Sequence, residues 1–476
     1  MTTDLLSHFY INGAWVTPVG EATMDVVNPA TEAVIGRLRL GVQQDADRAV
    51  AATKAAGPGF AATGKQDRLD LLRRILAIYT RRVDDFADAM RQEMGAPRDF
   101  ARNAQAQVGI DHLAALIDDL EAFDFSTVLR NGDEMLHEPI GVCGLITPWN
   151  WPVNQMVLKV GPALAAGCTM VLKPSELTPL SAILLAEVLD EAGVPPGVFN
   201  LIQGEGPVVG AALSRHPDVA MMSFTGSTRA GTAILRDGAE TVTKVTLELG
   251  GKSPNIVFAD CDLDRAIRQG IDACFINSGQ SCDAATRMLV AQDVYDRAVA
   301  LAGRIGATVR VGDPALPGDH LGPLISAAQY EKVQAMIQVG IDEGARLLCG
   351  GPGKPEGQAV GYYAKPTIFA DVTNQMRIAR EEVFGPVLVM IPFADEEDAI
   401  RQANDTDYGL GAYIQTADPD RARRVARRLE SGTVNINGGY LAAGSPFGGV
   451  KRSGIGREGG AEGIRDFCTV KLIALG

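Results

Sequence analysis

From about residue 140 the chain alternates short β-rich runs with helical segments, and this alternation restricts the possible folds more than any other feature. The β-rich runs fall at 142–146, 169–172, 198–202, 219–224 and 242–247, and helical patterns at 151–166, 181–192, 208–214 and 230–236 lie between them. Successive parallel strands need a crossover long enough to return to the same edge, and a helix supplies it. The spacing therefore predicts βαβ units and a parallel sheet covered on both faces. A second alternating set begins near Asn255, with helices expected at 263–277, 293–305, 327–341 and 396–404. Two α/β lobes account for both sets.

The first 40 residues read as two short strands around the Asn28-Pro29 turn. Leu69, Leu72, Leu76, Tyr79, Val83, Phe86 and Met90 then recur at helical spacing, which predicts one amphipathic helix ending near Gly95-Ala96-Pro97. The Gly/Pro-rich stretch 350–361 reads as a surface loop. A net charge of −14 disfavours a phosphate-backbone partner, since nucleic-acid affinity rests on Lys and Arg. No apolar run is long enough to span a bilayer, and the opening Met-Thr-Thr-Asp-Leu-Leu has no basic or apolar leader, so a cytoplasmic protein is expected. The seven cysteines are odd in number and lack CxxC spacing, and the five histidines form no cluster. Neither a disulfide framework nor a metal site is expected.

Five stretches carry possible chemistry. Phe-Ile-Asn-Ser-Gly-Gln-Ser-Cys ends at Cys282, between a helical pattern and a short strand. A nucleophilic cysteine needs partial exposure and a stabilised thiolate, whereas the following Asp283 would disfavour one. Leu-Glu-Leu-Gly-Gly-Lys places Glu248 at the end of an apolar run, where burial raises a carboxyl pKa and suits it to act as a base. Phe-Thr-Gly-Ser-Thr-Arg-Ala-Gly, from Phe224 to Gly231, closes a strand and opens a helix, a place where backbone N–H groups can receive a pyrophosphate. It is neither GxGxxG nor a P-loop. Lys173-Pro174-Ser175-Glu176 follows another strand, and Glu176 could accept ribose hydroxyls. Thr147-Pro148-Trp149-Asn150-Trp151-Pro152 follows a third, and the Asn150 amide suits an oxyanion. Taken alone, each stretch also has a structural reading: a buried cysteine, an ion-paired glutamate, an exposed carboxylate, or tryptophans that pack in the core.

Together, in this order, they resemble the aldehyde dehydrogenase superfamily. Glu381-Glu382-Val383-Phe384-Gly385-Pro386, the SPFGGVKRSGIGRE segment ending at Glu458, and the 34 residues from Glu248 to Cys282 match as well. The resemblance implies an NAD enzyme, with NADP a less favoured alternative, that oxidises a small-molecule aldehyde to an acid. In that chemistry Cys282 is the nucleophile, Asn150 the oxyanion donor and Glu248 the general base for thioester hydrolysis, while Lys159 and Glu458 pass protons away from the base. It implies cofactor contacts from Ile146, Trp149, Lys173, Glu176, Gly226, Ser227, Gly231, Leu249, Glu382 and Phe384, and no metal. The implied fold is α/β: a Rossmann-like cofactor domain (1–122 and 139–251), an α/β catalytic domain (252–466) and a small β-hairpin oligomerisation arm (123–138 and 467–476). A homotetramer or homodimer would complete the arm, since an isolated hairpin is marginal in water.

Asn154, Gln155 and Leu158 fall where relatives face the substrate tunnel, and Leu441 and Phe447 where they often place two aromatics. With two polar residues and one aromatic missing, a wider and more polar tunnel is expected. Two other readings compete: a CoA-acylating semialdehyde dehydrogenase, against which Glu248 argues, and a non-catalytic structural relative, against which intact Cys282, Glu248, Asn150 and Lys173 argue.

Overall fold

The computed structural model describes residues 3–474. The central strands of its two main sheets are buried almost completely, which explains why they read as continuous apolar runs, while the edge strands are partly exposed. The first sheet runs, edge to edge, Gly454–Ile455, Lys244–Glu248, Met221–Thr225, Val142–Ile146, Thr169–Lys173, Phe199–Leu201, Phe9–Ile11 and Ala14–Val16. Its five central strands are mutually parallel. The chain moves outward from Val142–Ile146 in one direction, then crosses back to build Met221–Thr225 and Lys244–Glu248 on the other side. The strand order therefore reverses between Val142–Ile146 and Met221–Thr225, and such a reversal opens a crevice at the carboxyl ends of the strands. The second sheet runs Arg346–Cys349, Thr367–Ala370, Val387–Phe393, Arg287–Ala291, Pro254–Val257, Gly411–Gln415 and Thr433–Ile436, parallel except for its first pair.

A separate three-stranded sheet pairs Cys468–Ile473 with Glu134–Pro139 and Glu134–Pro139 with Ser126–Val128, within the segments expected to form the arm. It leaves Val128, Val470 and Leu472 exposed. The last arm positions, 475–476, and the first two residues of the chain lie outside the described residues.

Several expectations need correction. The pattern from Leu69 to Met90 forms two helices, Lys65–Arg81 and Val83–Glu93, joined at Arg82 (φ −104°, ψ 9°). The break keeps Tyr79 and Phe86 both pointing inward, with ring centroids 4.4 Å apart, so the apolar spacing continues across it. The strand expected from Val242 starts at Lys244, because Val242 is an exposed turn residue with φ +55°. The 263–277 helix stops at Phe275. An additional antiparallel pair at the N-terminus, Phe9–Ile11 with Ala14–Val16, extends the first sheet. Finally, Gly454–Asp466, assigned to the second lobe by the expected boundary at 466, returns to the first. Ile455 pairs with Leu247, and the helix Gly460–Asp466 packs on the helices Gln107–Ala122 and Pro152–Ala166.

Candidate active site

The expected site residues of the first lobe hang from the carboxyl edge of its sheet, around the reversal in strand order. Ile146 ends one central strand, and the turn after it carries Trp149 and Asn150 before the helix Pro152–Ala166. Lys173 ends the next strand and Glu176 lies just beyond it. Gly226 and Ser227 follow the strand Met221–Thr225, and Glu248 ends the strand beside that one. Four strand ends thus converge on one crevice.

Lys173 is fully buried, and its Nζ donates to Pro174 O at 2.8 Å and to Glu176 Oε2 at 3.3 Å. Burial lowers the pKa of its ammonium, and the Glu176 carboxylate opposes that shift. Ser227 caps the helix Thr228–Ala239, its Oγ accepting from Ala230 N at 3.2 Å. A Cβ on Gly231 would stand 2.7 Å from Leu249 Cδ2, so the helix lies directly against the strand end. A helix N-terminus with free N–H groups beside a Lys–Glu pair suits a dinucleotide, with the pyrophosphate at the helix and ribose hydroxyls at the pair.

The second lobe closes the other side. Glu382 Oε1 accepts from Gly251 N at 3.0 Å, and the Phe384 ring meets Trp149 edge-on with centroids 5.3 Å apart. Gly251 also passes so close to the nucleophile loop that a Cβ there would lie 2.2 Å from Cys282 O. The Gly250-Gly251 turn therefore locks Glu248, Cys282 and Glu382 into one neighbourhood.

Cys282, whose backbone O lies against Gly251, is partly accessible. Its thiol pKa is raised well above the ordinary value, first by burial and then by the carboxylates of Asp283, Glu248 and Glu382. Glu248 is 2% exposed, and neither carboxylate oxygen has a hydrogen-bond partner among the described residues. A Cβ on Gly448 would lie 2.5 Å from Glu248 Oε1, so that glycine leaves the carboxylate room. Burial, then the Glu458 carboxylate, raises the Glu248 pKa well above the ordinary range, while Lys159 and Arg457 oppose the shift. Lys159 and Glu458 form a buried ion pair, and the second oxygen of Glu458 is unpartnered among the described residues. Asn150 is buried, and its Nδ2 donates to Gln280 O at 3.0 Å.

On the expected tunnel side, Asn154 Oδ1 lies 2.8 Å from His112 Nε2, Gln155 and Leu158 are buried, and Leu441 is 43% exposed. Arg287 is fully buried and committed to Lys252 O, Asn374 Oδ1, Gln402 O and Ala403 O, so it serves the core and meets no substrate.

Sequence reasoning missed Gln105, Asn277 and Gln280 as members of the site, although the last two stand inside the Cys282 stretch. It also missed Lys252, whose Nζ donates to Glu381 O at 2.7 Å and whose pKa burial lowers to about 7.

The Aldehyde dehydrogenase family model matches residues 15–473. A 3-succinoylsemialdehyde-pyridine dehydrogenase from Pseudomonas sp. is 49% identical over 98% of both chains. The crystal structure of an aldehyde dehydrogenase from Bartonella henselae is 51% identical, with a TM-score of 0.96 over 98% of both chains. A mutant of aldehyde dehydrogenase C from Pseudomonas syringae, complexed with NAD+ and octanal, is 47% identical, with a TM-score of 0.97 over 99% of this chain and 97% of that one.

Proposed function

The chain belongs to the aldehyde dehydrogenase family, NAD(P)-dependent enzymes that oxidise aldehydes to acids, and on that premise we propose that it does so with Cys282 as nucleophile and Glu248 as general base. One observation carries the assignment: a buried carboxylate with no partner among the described residues ends the strand whose following glycine turn packs directly on the backbone of a partly accessible cysteine. Leaving a carboxylate buried and unpaired is costly, and such groups are found where they do chemistry.

The Cys282 thiolate bonds to the carbonyl carbon and gives a thiohemiacetal alkoxide. The Cys282 backbone N–H and the second N–H of Asn150 Nδ2 stabilise that alkoxide more strongly than the starting carbonyl, which is how they lower the barrier. NAD+, when bound, supplies the oxidant by accepting a hydride at C4 of its nicotinamide. Loss of the C–H bond leaves a thioester on Cys282 Sγ. Glu248 then takes a proton from water, the hydroxide oxygen attacks the thioester carbon, and the C–S bond breaks to release the acid and the thiolate. The Glu458–Lys159 pair passes the proton from Glu248 away from the site.

In the same proposal Lys173 and Glu176 hold the adenosine ribose. Trp149, Gly226 and Ser227 contact the rest of the adenosine diphosphate half, Ile146, Gly231 and Leu249 shape its bed, and Glu382 and Phe384 meet the nicotinamide ribose and ring. Residues 123–138 with 467–476 act as an oligomerisation arm, which the exposed Val128, Val470 and Leu472 support as a surface for a second copy. Seven unpaired cysteines support a reducing, cytoplasmic setting. None of the helices among the described residues is long and apolar enough to cross a membrane.

The reading is tested by following reduced nicotinamide with aldehydes of increasing length and polarity, with NAD+ or NADP+, and with or without CoA. Turnover is expected without CoA. kcat/KM should favour NAD+, because the Glu176 carboxylate opposes a 2′-phosphate at a cost on the order of 1–3 kcal/mol. Aldehydes with a polar group beyond the carbonyl should outperform acetaldehyde. Strict CoA dependence, or an NADP+ preference above about tenfold, contradicts the reading.

A pH dependence follows from the same geometry. Cys282 and Glu248 must both lose a proton to act, and both have raised pKa values in the fold. Activity should therefore climb as pH rises through neutrality and keep climbing in the alkaline range. Replacing Asp283 with Asn removes the largest charge effect on the thiol and should speed iodoacetamide alkylation of Cys282 at neutral pH. A kcat/KM flat from pH 6 to 9, or an alkylation rate unchanged in Asp283→Asn, counts against these assignments.

A further inference from the structure

We infer that Asn277, supported by Gln105, is a positioning residue that sets the distance between the oxyanion donor and the nucleophile loop; this rests on the reading of Cys282 and Asn150 given above. The Asn277 side chain binds both walls of the reaction gap. Its Nδ2 donates to Asn150 O at 2.8 Å and to Gln280 O at 3.2 Å. Asn150 is the proposed donor, and Gln280 lies two residues before Cys282. A single amide nitrogen with two hydrogens thus ties the donor's backbone to the nucleophile's.

The surrounding groups hold that bridge in place. Gln105 Nε2 donates to the same Asn150 O at 3.0 Å and to Asn277 Oδ1 at 3.3 Å. Asn150 Nδ2 donates one hydrogen to Gln280 O at 3.0 Å, which leaves its other hydrogen for the alkoxide. Gln280 Nε2 returns to Asn277 O at 3.1 Å, and Gln280 Oε1 accepts from Ile325 N at 3.0 Å. All four amide side chains are buried, so bulk water does not compete for these bonds.

The backbone shows what this arrangement costs. Asn277 (φ 54°, ψ 34°) and Ser278 (φ 56°, ψ 32°) are two consecutive non-glycine residues in the left-handed region, which side chains rarely enter, asparagine more readily than most. Strain of this kind persists only where the surroundings over-determine it, as the amide network does here. Glycine at 277 would satisfy the turn without strain, so the turn alone does not call for an asparagine. Its amide does.

Asn277→Gly keeps the left-handed turn and removes the bridge, and it is the primary test. Gln105→Leu is the second variant, on a different element, should the first fail to fold. Rapid mixing with NAD+ and aldehyde should show the first burst of reduced nicotinamide slowed about tenfold or more, the scale expected when a donor is misplaced by a fraction of its hydrogen-bond length. The NAD+ dissociation constant and the rate of Cys282 alkylation by iodoacetamide should stay within about threefold of the parent, since neither needs the donor. In an Asn150→Ala background the same substitution should have little further effect on the burst, because Asn277 acts through Asn150. A burst in Asn277→Gly as fast as the parent, beside a slow Asn150→Ala, overturns the inference alone. Additive losses in the double variant overturn it too, by showing a general structural role. A fast burst in Asn150→Ala overturns both the inference and the donor assignment beneath it.

Discussion

Cys282→Ala is expected to abolish aldehyde oxidation, by at least about 10⁴-fold in kcat, while the protein still folds and binds NAD+. The Cys282 thiol feels the Glu248 carboxylate, and Gln280, two residues before it, accepts from Asn150 Nδ2 at 3.0 Å. Cys143, Cys168, Cys274 and Cys468 are buried, and Cys261 and Cys349, partly accessible like Cys282, lie in other segments of the chain. The side chain is small, partly accessible and set against three carboxylates, so its loss removes little packing. The proposed cofactor contacts lie on other segments: Lys173 and Glu176 on one strand end, Gly226 and Ser227 on another, Glu382 and Phe384 in the second lobe. Thermal unfolding and fluorescence titration with NAD+ should therefore match the parent. Residual activity above a few percent would remove Cys282 from the mechanism.

Glu248→Gln is expected to slow steady-state turnover by about 10²- to 10⁴-fold, the usual contribution of a positioned general base. Glutamine keeps the side-chain shape but cannot take a proton from water. Neither oxygen of Glu248 has a partner among the described residues, so no hydrogen bond is lost, and a neutral group in this desolvated position should leave stability unchanged or improved. Removing a negative charge that raises the Cys282 pKa also favours the thiolate. The loss should therefore fall on acyl release rather than on thiohemiacetal formation. The pH profile of the variant should lose the part due to Glu248 and keep the part due to the thiol.

The residues at the strand ends were legible because local rules place them. An apolar run followed by a turn and a helix puts Asn150, Lys173 and Gly226 at one sheet edge, and the apolar run ending in a glycine turn puts Glu248 beside them. Asp283 was legible for the same reason: a carboxylate next to a thiol must act on it. Gln105 was not, because its partners lie 45 and 172 residues away and nothing in its own stretch marks a buried amide. The return of Gly454–Ile455 to the first sheet depends on a pairing across some 200 residues and left no periodic trace. The break at Arg82 was hidden because the apolar spacing runs through it, and Val242 misled because a β-branched residue in an extended-looking run proved to occupy a left-handed turn. The bridge made by Asn277 illustrates the general limit. Its motif was read for the cysteine it ends on, while its geometry depends on a turn conformation that no residue count reveals.

The central claim, a thioester on Cys282 resolved by Glu248, is tested most directly by mixing Glu248→Gln with NAD+ and aldehyde, quenching within a few turnovers and measuring intact and peptide mass. The account predicts an adduct with the mass of the acyl group on the peptide containing Cys282, absent from Cys282→Ala and transient in the parent. Near-normal turnover of Glu248→Gln with no accumulated adduct, or an adduct on any other residue, would contradict it.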